Sequence, residues 1–327
     1  MKAIRDILDK QKPHFEKGGK YEKYYYLFEA NETFLFTPNE TTHAKGAQIR
    51  DAINLKRLMI TVVIAMVPAL LFGIYNVGHM HFLATAQDAT FVEKILLGME
   101  VVLPIVLVAY AAGGLVEVAF SFIRRHPINE GFLVTGMLIP LILPPTVPLW
   151  QVALAAVFAV VIAKEVFGGT DMNVLNVAMT ARAFLYFAYP SDLSGDVWYY
   201  LGDAKYADGF TGATALGLAA ETNIVEGTQE VTSTLAATNN GLFEFWNMFI
   251  GFIPGSIGET STLMALVGAA ILIGTGVGSW KIILSVFGGA LAMGFVLSLA
   301  GANEFMLMPA HYHWVMGGLA FGAVFMA

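Results

Sequence analysis

Residues Asp208-Gly209-Phe210-Thr211-Gly212-Ala213-Thr214 place a carboxylate, two glycines and two hydroxyls in a short polar stretch between blocks of apolar sequence. A hydroxyl there can do one of two things. Thr211 or Thr214 can cap a helix beginning near Ala215, or the last hydroxyl can be the attachment point of a covalently bound group. The string has the form D-G-x-[ST]-G-A-T, in which several positions must agree at once.

Other candidates lie inside apolar runs. Glu117 is a carboxylate in the middle of hydrophobic sequence, where ionisable groups are costly and usually functional. Gly113 sits one turn earlier on the same face and, with Gly114, opens room beside the acid. A ligand or cation passing close to the backbone is one reading; close helix packing with Glu117 reaching toward Arg124 or Arg125 is the other. Glu130 stands at a helix start, as a dipole partner would. Lys164-Glu165 reads as an interfacial pair. Asn173, Asn176 and Thr180 recur at i, i+3 and i+7 and predict a polar stripe on an apolar helix. The stripe must face protein or ligand; flavin carbonyls and ring nitrogens suit such amides, and so does interhelical bonding. Arg182, Phe184 and Tyr186 could hold a quinone head group by hydrogen bonding and stacking, or belong to an interfacial aromatic belt. His311 and His313 have a spacing found in metal sites, but no further ligand cluster accompanies them and an interfacial role is favoured.

Composition dictates what must position these groups. The 327-residue chain is 57% hydrophobic and 13% charged, with mean hydropathy +0.65. A soluble domain carries about 25% charged residues, so this is a membrane protein. Its 33 glycines suit close helix packing in lipid. The absence of cysteine excludes disulfides and thiolate-bound iron–sulfur clusters within the chain. No G-x-G-x-x-G follows a strand, so NADH is not expected to bind here. The start is charged, without the apolar core of a signal peptide.

Spans are expected at about 55–75, 101–123, 131–143, 149–167, 174–189, 262–279, 282–299 and 314–327, an all-α polytopic fold. Eleven of the 18 Lys and Arg fall within the first 57 residues, whereas 190–245 holds one Lys and no Arg. The positive-inside rule then places residues 1–52, Arg124-Arg125 and Lys281 in the cytoplasm and Thr214 outside. Tyr24 to Phe28 give residues 1–52 an apolar patch for a partner, the bilayer interface or the chain's own membrane helices. The expected division is 1–52, a first bundle repeat 53–189, an extracytoplasmic segment 190–245 and an incomplete second repeat 246–327. Phe167-Gly168-Gly169-Thr170-Asp171 and Pro254 to Ser261 are alike, each Gly-rich with a hydroxyl and a carboxylate before a helix. They predict inverted repeats with broken helices meeting near the midplane, ordinary turns being the alternative. The chain ends inside an apolar run, from which a missing C-terminal part is expected.

The blocks HFEKGGKYEKYYYLFEA, LKRLMI, GGLVE, NEGF, PPTVPLWQ, AKEVFGGTDMNVLN, RAFLYFAYP, DGFTGAT and IPGSIGETST, in that order, resemble the B subunits of bacterial Na+-translocating NADH:quinone oxidoreductases. The resemblance implies two related five-helix halves, of which about eight helices are present. It implies FMN esterified by a flavin transferase to the last Thr of the motif, here Thr214, with Asp208, Gly209, Thr211, Gly212 and Ala213 forming the rest. Noncovalent riboflavin is implied as well, with Asn173 and Asn176 as candidate contacts. Ubiquinone reduction is associated with Gly113-Gly114 and with Phe184 and Tyr186, beside Arg182. Glu117 matches a carboxylate implicated in Na+ uptake, and Glu130 joins it as a candidate for the path. Implied partners are an NADH, FAD and iron–sulfur subunit, a second covalent-FMN subunit, further membrane subunits and the bilayer of the bacterial inner membrane, but no nucleic acid. The homologous membrane flavoprotein of the Rnf complex, serving ferredoxin:NAD+ transfer, is the nearest rival; the long N-terminal segment argues against it. A channel for a small polar solute is the rival from another class and needs no flavin.

Overall fold

The computed structural model describes residues 2–16, 18–36, 53–125, 128, 130–170, 172–222, 231–301 and 304–327, and all regular structure among them is helical. Four helical stretches are long and apolar enough to cross a membrane: Leu55–Ala84, Phe91–Arg124, Leu149–Phe167 and Trp280–Ala300. Gly131–Leu141, Val177–Ala188 and Thr262–Gly274 are shorter apolar helices.

Two amphipathic N-terminal helices, α1 (Lys2–Phe15) and α2 (Tyr25–Leu35), pack on each other through Phe15 stacked on Phe28 at 4.7 Å and Lys12 paired with Glu32 at 3.3 Å. They lie against the chain's own helices: Tyr26 Oη donates to the Arg125 carbonyl at 2.7 Å, and Tyr24 meets Phe122 edge-on.

The first membrane unit begins with α3 (Leu55–Ala84) and α4 (Phe91–Arg124), both longer than the expected spans. A Thr90–Glu93 capping box starts α4 ten residues before the expected boundary. The two helices cross where a Cβ on Gly98 would stand 1.7 Å from the Ile74 carbonyl, so only glycine permits the approach. Short α5 (Gly131–Leu141) follows, then α6 (Leu149–Ala159), continued by a π-helical turn at Val160–Lys164 and a 3-10 turn at Glu165–Phe167. Next comes α7 (Val177–Ala188). Beyond it, the 190–245 segment contributes α8 (Ala215–Thr222) and α9 (Val231–Ala237), before α10 (Phe245–Ile250). The remaining helices are α11 (Thr262–Gly274), α12 (Trp280–Ala300), a four-residue α13 (Glu304–Leu307) and α14 (Leu319–Phe325). α11 runs antiparallel to α3, with Ile257 beside Gly73 and Gly268 beside Ala65.

The fold has two distinct ends. One gathers the N-terminal helices, Lys56 paired with Glu130 at 3.0 Å, and Gly131 against Thr170. The other gathers the 190–245 segment: Thr146 Oγ1 donates to the Val197 carbonyl at 2.6 Å, and Ala207 N–H to the Ala84 carbonyl at 2.8 Å.

Two expectations are corrected. The Gly-rich segments do not meet: Phe167–Thr170 adjoins the start of α5, while Ile257 and Gly258 N–H donate to the Leu143 and Leu141 carbonyls at its far end, at 3.1 and 2.8 Å. Eleven residues of helix separate the two by about 15 Å. Asp171 lies outside the described residues. Nor is there a polar helical stripe, because α7 begins at Val177 and Asn176 is its N-cap, leaving Asn173 in the preceding turn.

Candidate functional site

Chemistry concentrates at two places. The first is the seam where α4, α5 and α6 meet. A Cβ on Gly113 would stand 2.4 Å from the Phe132 ring and 3.5 Å from Val160, so Gly113 admits that ring rather than leaving a void. A Cβ on Gly114 would stand 3.6 Å from the same ring, an ordinary contact. One turn on, the Lys164 ammonium donates to Glu117 Oε1; the two side chains are 3% and 2% exposed. Next, Arg124 donates to the Glu165 carbonyl at 2.6 Å and to its carboxylate at 3.3 Å. Neighbours on a regular helix point about 100° apart, yet Lys164 and Glu165 are both buried. The π-turn explains this: its wider coil ends at Lys164, whose φ of −119° breaks the helix and brings both side chains into the seam. Lys164 and Glu165 are therefore not a pair with each other: Lys164 bonds to Glu117 and Glu165 to Arg124. Glu130 stands apart, paired with Lys56.

The expected quinone residues are not brought together. Phe184 stacks on Phe158 at 4.3 Å, whereas Gly113 approaches Val160. Residues 158 and 160 point about 200° apart, so α6 separates Phe184 from the glycine pair. Tyr186 is exposed beside Phe187. Arg182 holds Glu259 at 2.8 Å. The Asn176 side chain accepts from Met179 N–H at 3.1 Å, and Asn173 donates to the Leu175 carbonyl at 3.0 Å. His311 packs against Phe245 and Tyr312.

The second place is the Asp208–Thr214 loop, at the opposite end. Gly209 turns the chain with φ +79°, a conformation glycine adopts freely. Thr211 Oγ1 accepts from Ala213 N–H at 3.3 Å, and Thr214 Oγ1 from Gly217 N–H at 3.1 Å. Thr214 thus caps α8. A Cβ on Gly212 would stand 2.5 Å from Tyr206 Oη and 3.0 Å from Asp196. Beneath the loop Phe210 stacks on Tyr206 and meets Tyr199 edge-on at 5.4 Å. Burial pushes both phenols above their ordinary range, with the Tyr206 phenol and Asp196 adding for Tyr199, and Asp196 for Tyr206. Asn239 is a residue that sequence reasoning missed. Its Oδ1 accepts from Thr211 N–H at 3.1 Å and its Nδ2 donates to the Thr211 carbonyl at 3.0 Å. The tandem Asn239-Asn240 before Gly241 was the available signal, since asparagine is enriched at left-handed turns.

Residues 42–327 match the NQR2, RnfD, RnfE family. The chain is 45% identical to the B subunit of the Na(+)-translocating NADH-quinone reductase of Chromohalobacter salexigens, covering 99% of this chain and 80% of that one. It is 45% identical to the protein of the same name from Stutzerimonas stutzeri, covering 99% and 83%. The protein so named from Yersinia pestis is 43% identical over 99% and 83%. These matches take in the N-terminal helices as well as the membrane units. The chain therefore belongs to the NQR2, RnfD, RnfE family, among the B subunits of Na+-translocating NADH-quinone reductases.

Proposed function

We propose that the chain is the membrane subunit through which such a reductase passes electrons to ubiquinone and couples their flow to Na+ export, with FMN esterified to Thr214. NADH is oxidised on a partner subunit carrying FAD and an iron–sulfur centre. The FMN, with riboflavin held in the same chain, supplies electron carriers between that partner and the quinone. The single observation that carries the reading is Thr214 itself. It is the last residue of D-G-F-T-G-A-T, and its hydroxyl oxygen already stands at the start of the eight-residue α8, accepting from Gly217 N–H. A phosphoester there lies at the positive end of a helix, where backbone N–H groups favour anions. The phosphate chemistry therefore fits the residues present.

The other roles are assigned on the same reading. Asn173 Oδ1 and Asn176 Nδ2 take no part in the local bonds described above and are proposed contacts for riboflavin. Gly113, Gly114 and Phe132 form a proposed quinone wall at the seam of α4 and α5; Phe184, Tyr186 and Arg182, across α6, are not part of it. Glu117, with Glu130 nearer the N-terminal helices, is proposed for the Na+ path. The basic N-terminal end is assigned to the cytoplasm and Thr214 to the periplasmic side of the inner membrane. A flavin transferase and further membrane subunits, one bearing a second covalent FMN, complete the proposed partners.

The test is in-gel flavin fluorescence under denaturing conditions, with the chain and its Thr214→Ala variant each co-expressed with a flavin transferase. A fluorescent band that disappears in the variant supports the reading. No band in the parent chain, with the transferase active on a control protein, overturns it.

A further inference from the structure

The flavin-acceptor loop is held from one side by a single amide. Asn239 faces Thr211 with both ends of its side chain, accepting from the N–H and donating to the carbonyl of the same residue. This reciprocal pair is the bond pattern one strand would offer another, supplied here by a side chain 28 residues away. It comes with a backbone that favours few residues. Asn239 has φ +47° and ψ +45°, and Asn240 follows at φ +57°. Non-glycine residues reach this left-handed region at a cost, asparagine least of all. Thr211 is the pivot of the loop, because its hydroxyl in turn accepts from Ala213 N–H, one residue before Thr214. From Asn239 the chain of contacts runs to Thr211, to Ala213 and so to the hydroxyl that caps α8.

We infer that Asn239 is a positioning residue for covalent flavin attachment, fixing the Thr211 backbone so that the Thr214 hydroxyl is presented to the transferase. The inference rests on the reading of Thr214 as the FMN site. In the attachment step the Thr214 oxygen bonds to the flavin-side phosphorus of a flavin dinucleotide supplied as co-substrate, the phosphoanhydride P–O bond breaks, the nucleoside monophosphate leaves, and the hydroxyl proton is released. Asn239 touches neither partner. It acts through the loop.

The experiment measures flavin fluorescence per molecule against time after the transferase is induced, for the parent chain, Asn239→Gly and Asn239→Asp, with Thr214→Ala as the blank. Glycine keeps the left-handed backbone and removes the amide. Aspartate keeps the acceptor for Thr211 N–H and loses the donor. The thermal midpoint of each purified chain is recorded alongside. The expected result is about a tenfold slower attachment in Asn239→Gly, the scale of losing two hydrogen bonds. Asn239→Asp falls between it and the parent, and midpoints stay near the parental value. Attachment at the parental rate in Asn239→Gly overturns the inference alone. Flavin loss that merely tracks loss of folded protein also overturns it, by assigning Asn239 to folding. An unlabelled parent chain fails the FMN reading itself, a distinguishable outcome.

Discussion

Replacing Lys164 by methionine tests the buried seam. In the native chain the Lys164 ammonium and the Glu117 carboxylate are 3% and 2% exposed and bonded to each other. Methionine fills a similar volume but leaves Glu117 without that cation in a low-dielectric site. Breaking a buried pair by removing one partner costs about 3–5 kcal/mol, because the remaining charge loses that counter-ion. Removing both charges with Lys164→Met and Glu117→Gln relieves that charge, and pairs so replaced lose little. The double variant should therefore recover about 2–3 kcal/mol relative to Lys164→Met, although it carries one more substitution. The assay is thermal unfolding of the detergent-solubilised complex, read as the fraction that remains monodisperse. A single variant within about 1 kcal/mol of the parent, or a double variant no more stable than the single, refutes the pair as a dominant contact of the seam.

Three further outcomes follow from close contacts and from the tyrosines. Gly113→Ala drives a methyl into the Phe132 ring and should cost about 1–3 kcal/mol and raise the KM for quinone; Gly114→Ala, with 3.6 Å to the same ring, should change neither. Gly212→Ala meets Tyr206 Oη at 2.5 Å and should cut flavin incorporation, with Tyr206→Phe in the same chain restoring part of it; equal incorporation in the parent and Gly212→Ala contradicts this. The Tyr199 and Tyr206 phenols are raised by burial, so their packing under the loop is fully present below about pH 10 and is lost as pH rises through the folded-state values. Phenolate absorbance that differs between the parent and Tyr199→Phe only above the ordinary tyrosine range checks this; a difference centred at the ordinary value refutes it.

Long apolar elements were legible because hydropathy alone dictates them: the 149–167 stretch and the start of α3 at Leu55 stand where expected. Features set by tertiary contact were not. α3 runs on to Ala84, where Ala207 docks, and α4 starts early because Thr90 and Glu93 cap it. The helical period of Asn173, Asn176 and Thr180 misleads, since an asparagine that satisfies orphan N–H groups ends the pattern by capping. Lys164 and Glu165 look like an interfacial pair in the sequence because nothing in Val160 to Lys164 announces a π-turn. Of the two readings of Thr214, the structure displays the cap: its hydroxyl accepts from Gly217 N–H at the start of α8, and the same hydroxyl is the one proposed to carry the flavin. Asn239 was hidden because its partner lies 28 residues away.

Flavin attachment at Thr214 is tested most directly by the mass of the proteolytic peptide containing Asp208–Thr214, taken from membranes of cells that also make the flavin transferase. Esterification predicts a peptide heavier by one FMN less a water, with fragmentation placing the addition on Thr214. An unmodified peptide, in cells where the transferase labels a control protein, would contradict it.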